Sequence, residues 1–226
     1  MSLNKGLNPI NVDLMVKVGG SLLNNIEYCR QLVEEFETLN EMKKMIIFPG
    51  GGEIDNYIEQ YSTKQKLGKI VMHKSTMLAL DQNALILSSY SKKVIPFTSV
   101  IECREILKEG KIPVFMPSQA TFILDPFRYN STVSSDSMAL YFSKLFEVKE
   151  LILLKSIDGI LDKCSEVIKE ISIELLQEIE QDCVDPLFPY LAAREQVPVM
   201  ILNGRSPNVL NDYVIHGKFD LGTKIL

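Results

Sequence analysis

Residues 14–22 have the sequence Leu-Met-Val-Lys-Val-Gly-Gly-Ser-Leu, in which an apolar run leads directly into two glycines. Residues 14–18 predict a strand that is buried on both faces, because the apolar residues are near-continuous rather than alternating. Gly19 and Gly20 predict a tight turn, and Ser21 can cap a helix that follows it. A strand, a glycine turn and a helix in this order are typical of wound α/β domains.

The rest of the chain repeats this alternation of strand and helix. Further strands are predicted at residues 45–48, 94–97, 112–116, 151–154 and 197–202. Helices are predicted at 26–39, 52–63, 67–89, 98–109, 135–146, 172–180, 185–195 and 206–214, and a loop at 117–133. This pattern predicts an α/β fold with a mostly parallel open sheet and helices on both faces. A division into two lobes near residues 117–135 remains open. Ligands of such sheets bind beyond the carboxyl ends of the strands.

Composition narrows the class of protein. The chain has 226 residues, of which 46% are hydrophobic and 23% charged, so it can build a sizeable core. Its net charge of −5 argues against a nucleic-acid-binding protein. No apolar run approaches the ~20 residues that a membrane span needs, and the N-terminus lacks a signal-peptide pattern. We therefore expect a cytoplasmic protein that binds neither membrane nor nucleic acid.

The cysteines and histidines do not predict a metal site. The four cysteines form no C-x-x-C pair, and the chain contains only two histidines, His73 and His216. We expect the cysteines to be free thiols and the histidines to be structural or surface residues.

Three consecutive glycines, Gly50, Gly51 and Gly52, follow the strand at 45–48. Adjacent glycines lose much backbone entropy on folding, which a fold tolerates where a ligand must approach the main chain closely. The spacing matches neither a Walker loop nor the G-x-G-x-x-G pattern of dinucleotide-binding folds. A flexible turn is the alternative interpretation.

Two charged residues, Lys17 and Asp136, lie where a predicted strand ends or a predicted helix begins. Lys17 lies near the end of the first strand, where its ammonium group could meet the negative charge of a phosphoryl group. Asp136, in Val133-Ser134-Ser135-Asp136-Ser137-Met138-Ala139, lies at the start of a predicted helix. A surface lysine and a helix-capping carboxylate are the structural alternatives.

A fourth motif, Leu154-Lys155-Ser156-Ile157-Asp158-Gly159-Ile160, again joins a strand end to a turn. Lys155 could contact nucleotide phosphates, and Asp158 could hold ribose or base groups. A hairpin turn is the alternative, because Asp-Gly is a common turn signal. The four motifs together, each at a strand end, predict a phosphate-binding site. No G-x-S-x-G elbow accompanies them.

The order of these motifs, followed by Gly222-Thr223-Lys224-Ile225, resembles the amino acid kinase superfamily over residues 13–226. The resemblance implies a three-layer αβα sandwich of the carbamate kinase type, spanning residues 1–226 as one kinase domain. The acceptor would lie over an N-terminal half, about 1–130, and ATP with Mg²⁺ over a C-terminal half, about 131–226. It also implies a homo-oligomer and a small-molecule phosphoryl acceptor.

The same resemblance implies a role for each motif. Lys17 would contact the transferred phosphoryl group, and Asp136 would organise the lysines around it. The residues implied to line the phosphates and the acceptor are Gly19, Gly20, Ser21, Gly50, Gly51 and Gly52. The residues implied to bind the nucleotide are Lys155, Ser156, Asp158 and Gly159. No general base is needed when the acceptor is already an anion, so catalysis would rest on alignment and charge neutralisation.

The motifs also bear on the acceptor. Isopentenyl phosphate kinases have a histidine shortly after the glycine loop, where this chain has Glu53-Ile54-Asp55-Asn56. Uridylate kinases resemble residues 77–80 and 83–85, but their longer acceptor loop is not reproduced. The pattern is most similar to the aminomethylfuran-methyl phosphate kinases of methanofuran biosynthesis, so that phosphate monoester is the expected acceptor. Those kinases tend to have Trp-Asp where this chain has Ser131-Thr132.

Two alternatives stay open at this point. One is a nucleotide kinase similar to uridylate kinases. The other is a non-catalytic protein that binds nucleotides and stores oxoanions, as some members of the superfamily do.

Overall fold

The computed structural model describes residues 10–127 and 133–226 of the chain. Within these residues the strands are β1 (Leu14–Val18), β2 (Met45–Pro49), β3 (Val94–Phe97), β4 (Ile112–Phe115), β5 (Glu150–Lys155), β6 (Glu170–Ile171), β7 (Val199–Asn203) and β8 (Gly222–Ile225). The helices are α1 (Gly20–Leu23), α2 (Ile26–Asn40), α3 (Gly52–Lys64), α4 (Lys69–Ser88), α5 (Val100–Lys108), α6 (Ser118–Leu124), α7 (Ser135–Leu145), α8 (Ile173–Glu178), α9 (Phe188–Glu195) and α10 (Val209–His216).

The strands of the described chain form one sheet in the order β3-β4-β2-β1-β5-β7-β8-β6. All neighbouring pairs are parallel except β7 and β8, which are antiparallel. The predicted mostly parallel open sheet is therefore confirmed. β1 lies in the interior of the sheet and pairs with β2 on one side and β5 on the other. The two halves of the chain thus share one continuous sheet.

Helices cover both faces of this sheet, so the fold is a three-layer αβα sandwich. Side chains alternate across each strand, which sends Met15 and Phe48 into one core and Val16 and Ile47 into the other. Helices α7 and α9 pack on the first face, and α2 and α10 on the second. Strands buried on both faces explain the near-continuous apolar runs in the sequence.

The six strands predicted from the sequence are confirmed, but the predicted loop at residues 117–133 is wrong in its first half. Residues Ser118–Leu124 form α6. Asp81, on α4, accepts hydrogen bonds from the backbone N–H of Ser118, at 3.1 Å, and from its hydroxyl group. This capping from 37 residues away satisfies donors at the helix start, and Pro117 before the helix is compatible with it.

The two short strands β8 and β6, which end the sheet beyond β7, were not predicted. The four cysteines are free, and three of them are buried while Cys164 is exposed. Along the described segments, none of the helices combines the length and the apolar character that crossing a membrane requires.

Candidate active site

Two glycine turns meet at the carboxyl end of the central strands. β1 and β2 pair in register, with Val18 opposite Pro49, so the turns that follow them begin at the same level. A Cβ atom on Gly20 would lie 2.3 Å from the backbone nitrogen of Gly52, and one on Gly50 would lie 2.5 Å from that of Gly20. Only glycine permits this approach. The motifs at residues 19–20 and 50–52 therefore form one backbone surface.

Helix α4 holds the Gly50–Gly52 turn in place. The side-chain amide of Asn83 donates hydrogen bonds of 2.7 Å to the carbonyl oxygens of both Gly50 and Gly51. With these carbonyls bound on the protein side, α3 begins at Gly52, whose φ of 62° lies in the left-handed region. The start of a helix presents unpaired N–H groups and partial positive charge, which suits a bound phosphate.

A buried carboxylate joins the two lysines of the motifs. The Nζ atom of Lys17 lies 2.5 Å from Oδ1 of Asp136, and Nζ of Lys155 forms an ion pair with Oδ2. The side chains of Lys17 and Asp136 are 5% and 4% exposed, so neither charge is solvated by bulk water. Two ammonium groups therefore share one carboxylate beside the glycine turns, and the charge of Asp185 also acts on Lys17.

Burial and neighbouring charges act in opposite directions on Asp136 and Lys17. Burial alone would raise the pKa of Asp136, but the charges of Lys17 and Lys155 outweigh that effect and hold this pKa below its ordinary value. Burial lowers the pKa of Lys17, and the charge of Asp136 offsets part of this shift. Charges that are held in such a dry site act strongly on a bound anion.

The start of α7 places Asp136. The hydroxyl group of Ser134 accepts a hydrogen bond of 3.1 Å from the backbone N–H of Asp136, as an N-cap does. That hydroxyl group in turn donates to Oδ2 of Asp185 at 2.7 Å, and the hydroxyl of Ser137 donates to Oδ1 at 2.8 Å. Asp185 thus fixes the first turn of α7. Its role escaped sequence analysis, because nothing near residue 185 indicates a partner 51 residues earlier.

The turn after β5 lies beside the first glycine turn and the end of β7. Ser21 donates a hydrogen bond of 2.9 Å to the hydroxyl oxygen of Ser156. The side-chain amide of Asn203, at the end of β7, donates to Asp158 at 2.5 Å. The structure therefore brings the residues implied for the nucleotide next to those implied for the phosphates.

Gly159 completes this turn against β8. Its φ is 133°, and a Cβ atom there would lie 2.6 Å from Oγ1 of Thr223, which accepts a hydrogen bond of 2.8 Å from the N–H of Ile160. Thr223 belongs to the segment at residues 222–225 that carried part of the sequence resemblance, and it buttresses the turn.

A cavity of about 210 Å³ opens on the other side of the cluster, beside the start of α7. Its lining residues come from α3, α4 and the segment before α7, and they are Asp55, Glu59, Met72, His73, Thr76, Met77, Leu80, Val133, Ser134 and Ser135. Neither Asp55 nor Glu59 was predicted to be a site residue, and His73 was predicted to be a structural or surface residue. Burial lowers the pKa of His73. Ser131 and Thr132, where the resembled kinases tend to have Trp-Asp, lie outside the described residues.

In the parts of the chain that the structure describes, no group of three or more His, Cys, Asp or Glu side chains could hold a metal ion. Both oxygens of Asp136 face lysines. A magnesium ion that arrived on the phosphates of a nucleotide would need few protein ligands, because Mg²⁺ keeps several waters.

The chain is similar to known proteins in its sequence and in its fold. The family model "Amino acid kinase family" matches residues 14–203. A [5-(aminomethyl)furan-3-yl]methyl phosphate kinase of Methanocaldococcus jannaschii is 27% identical over 216 residues, which cover 94% of this chain and 97% of that protein. An acetylglutamate kinase of Endomicrobium trichonymphae is 25% identical over 206 residues, 74% of this chain and 80% of its own length. The UMP kinase structure from Ureaplasma parvum superposes with a TM-score of 0.78 at 15% identity, covering 95% and 99% of the two chains.

Proposed function

Since the chain belongs to the amino acid kinase family and is a phosphotransferase, we propose that it transfers the γ-phosphoryl group of ATP to a small phosphate monoester. The expected acceptor is aminomethylfuran-methyl phosphate. The relative whose name includes this substrate aligns over nearly the whole of both chains, which supports the proposal. The observation that carries it is the Lys17–Asp136–Lys155 cluster beside two interlocked glycine turns.

The reaction needs positioning and charge rather than proton transfer. A phosphate oxygen of the acceptor attacks the γ-phosphorus atom, the bond from that atom to the β,γ-bridging oxygen breaks, and ADP leaves with the bonding electron pair. Negative charge gathers on the transferred group in the transition state. Lys17 neutralises this charge, and the N–H groups at the start of α3 orient the phosphates.

The two substrates would approach from opposite sides of the cluster. The turn at residues 155–159 is proposed to hold the nucleotide, with Asp158 reaching its ribose or base. Gly50 to Gly52 and the adjoining cavity are proposed to hold the acceptor. Asp136 keeps Lys17 and Lys155 at a fixed separation, so the lysines meet both the γ-phosphate and the leaving group. Mg²⁺, when bound with ATP, would neutralise charge on the β- and γ-phosphates.

A coupled assay of ADP release tests this function. The acceptor panel contains aminomethylfuran-methyl phosphate, UMP, isopentenyl phosphate, N-acetylglutamate and carbamate, each at saturating MgATP. We expect the first compound to give the highest kcat/KM. Turnover of UMP alone would support the alternative nucleotide kinase, and absence of turnover in protein shown to bind ATP would contradict the proposal.

A homo-oligomer is proposed as the working state. Val71, Leu78 and Leu85 recur every seven residues on α4, so they form one stripe along the helix. Each of them is about half exposed, at 50%, 47% and 49%. A second copy of the chain, burying the same stripe, would remove this apolar surface from water.

A further inference from the structure

We propose that the cavity beside the glycine turns is a specificity subsite in which Asp55 and Glu59 bind a positively charged group at the far end of the acceptor. This inference rests on the proposed transfer to a phosphate monoester and deepens it. It states that the acceptor is a zwitterion, with its phosphate on the glycine turns and an ammonium group on α3.

The cavity lies between the start of α7 and the second glycine turn. Ser134 and Ser135, which line one wall, begin the helix that carries Asp136. On the opposite wall, Asp55 leans against the glycine turn, since a Cβ atom on Gly51 would lie 2.4 Å from both Cβ and Oδ2 of Asp55. The cavity therefore continues directly from the surface on which the acceptor's phosphate is proposed to lie.

The charged side chains that line the cavity are acidic. Asp55 and Glu59 lie four residues apart on α3, so their carboxylates share one face of the helix. No lysine or arginine lines the cavity among residues 10–127 and 133–226, and His73 is the one other titratable side chain there. A phosphate could not occupy this end of the site without repulsion. A cation would relieve the repulsion between the two acids.

One carboxylate oxygen of Asp55 lacks a hydrogen-bond donor within the described part of the chain. Oδ1 of Asp55 is buried and has no hydrogen-bond partner among the described residues. A buried carboxylate oxygen without a donor costs free energy, which a protein tolerates where a ligand supplies the donor. An ammonium group supplies three donors and a full charge.

The cavity is small, and one of its walls is apolar. Met72, Met77 and Leu80 give the cavity an apolar wall from α4. Its volume of about 210 Å³ lies below the range of about 300–1,000 Å³ found for drug-sized ligands. A small ring or short carbon chain between the phosphate and the cation fits these walls better than a nucleoside does.

Isothermal titration calorimetry with a non-hydrolysable ATP analogue and Mg²⁺ tests the subsite independently of turnover. The two probes are aminomethylfuran-methyl phosphate and its analogue with a hydroxymethyl group in place of the aminomethyl group. We expect the wild-type protein to bind the ammonium probe about tenfold or more tightly than the neutral one, as a charge-assisted contact should. Asp55→Asn and Glu59→Gln should each reduce this preference, and Asp55→Asn should abolish most of it.

Glu105→Gln is the matched control, because Glu105 is an exposed acid on α5 that does not line the cavity; it should keep the preference. Equal affinity of the two probes for the wild-type protein, no binding of either, or an unchanged preference in both variants would overturn the subsite. Preferential binding without ADP release would leave the subsite standing and overturn the proposed transfer instead.

Discussion

The Nζ atom of Lys17 lies 2.5 Å from Oδ1 of Asp136, although both side chains are almost fully buried. An ion pair that is removed from water is weak evidence for stability, because desolvation offsets most of the Coulombic attraction. The second lysine on the same carboxylate gives the pair a different meaning. Lys155 places a second ammonium group on the same carboxylate, and its side chain is 16% exposed, so a bound anion could reach it.

Lys17→Ala tests this charge in catalysis. If Lys17 stabilises the migrating phosphoryl group, its loss should lower kcat by about 100- to 1,000-fold, as removal of a preorganised electrostatic contact does. Steady-state kinetics of ADP release measure the effect. Lys149→Ala is the control, because Lys149 is an exposed residue before β5, at the opposite end of the strands, where it pairs with Asp13. An unchanged kcat in Lys17→Ala would refute the role.

Asp136→Asn tests the carboxylate as the organiser of the two lysines. The substitution removes the charge that both ammonium groups contact, and Lys17 is buried, so the free energy of unfolding should fall by about 3–5 kcal/mol. Urea denaturation followed by circular dichroism measures this change. The double variant Asp136→Asn with Lys17→Met should recover part of the stability but none of the activity. Equal stability of the single and double variants would contradict the coupling.

Gly20→Ala tests the contact between the two glycine turns. A methyl group at residue 20 would meet the backbone of Gly52 at 2.3 Å, so one turn must shift. A displacement of about 1 Å at a reacting group can lower the rate by about 100-fold, and we expect a loss of that order in kcat/KM. Gly68→Ala is the control, because a Cβ atom on Gly68 would meet nothing within 4 Å. Full activity in Gly20→Ala would show that the turns do not form one surface.

Local signals in the sequence predict the strand ends and glycine turns well. Lys17, Gly20 and Gly50 lie next to the apolar runs that define their strands, and parallel strands bring their carboxyl ends to one edge of a sheet. The family resemblance added the roles of Asp136 and Lys155, whose local patterns also fit a cap and a turn. The positions of these side chains agree with those roles, which stay predictions until kinetics test them.

Contacts between distant segments are what the sequence did not predict. Asp81 caps α6 from 37 residues away, Asn83 holds the carbonyl groups of Gly50 and Gly51, and Asp185 fixes the start of α7. Each of these side-chain hydrogen bonds forms only when the helices and strands pack together, so the local spacing of residues in the sequence does not predict it. The acidic cavity escaped for the same reason, since Asp55 and Glu59 in isolation are typical of a solvated helix face.

Leu78→Glu tests the proposed homo-oligomer. A charge in the middle of the exposed stripe on α4 should disrupt an interface built on that stripe while leaving the fold intact. Light scattering coupled to size-exclusion chromatography should give a multiple of 25.6 kDa for the wild-type protein and about one chain mass for the variant. Ile101→Glu, at an exposed position on α5, should retain the wild-type mass. A monomeric wild-type protein would contradict the proposal.

Asp55→Asn should stabilise the protein without ligand at neutral and alkaline pH, and the gain should shrink as the pH falls below about 6. Burial, together with the charge of Glu59, raises the pKa of Asp55 from 3.8 to about 6. An acid with a raised pKa in the folded state opposes folding where the unfolded chain is ionised, and this cost vanishes as the pH falls below 3.8. The melting temperature of Asp55→Asn should therefore exceed that of the wild-type protein at pH 8, and most of this difference should be gone near pH 4.

The other titratable groups that line the cavity, Glu59 beside Asp55 on α3 and His73 on α4, do not reverse this sign. Glu59 repels the ionised form of Asp55, and the lowered pKa of His73 leaves that side chain neutral at pH 8. Asp182→Asn, at an exposed position, should show no such difference between the two pH values. Bound aminomethylfuran-methyl phosphate should invert the ranking at pH 8, because its ammonium group stabilises the wild-type carboxylate and has no charged partner in the variant. A variant that is less stable than the wild-type protein at pH 8 without ligand would mean that a contact within the protein already satisfies Asp55.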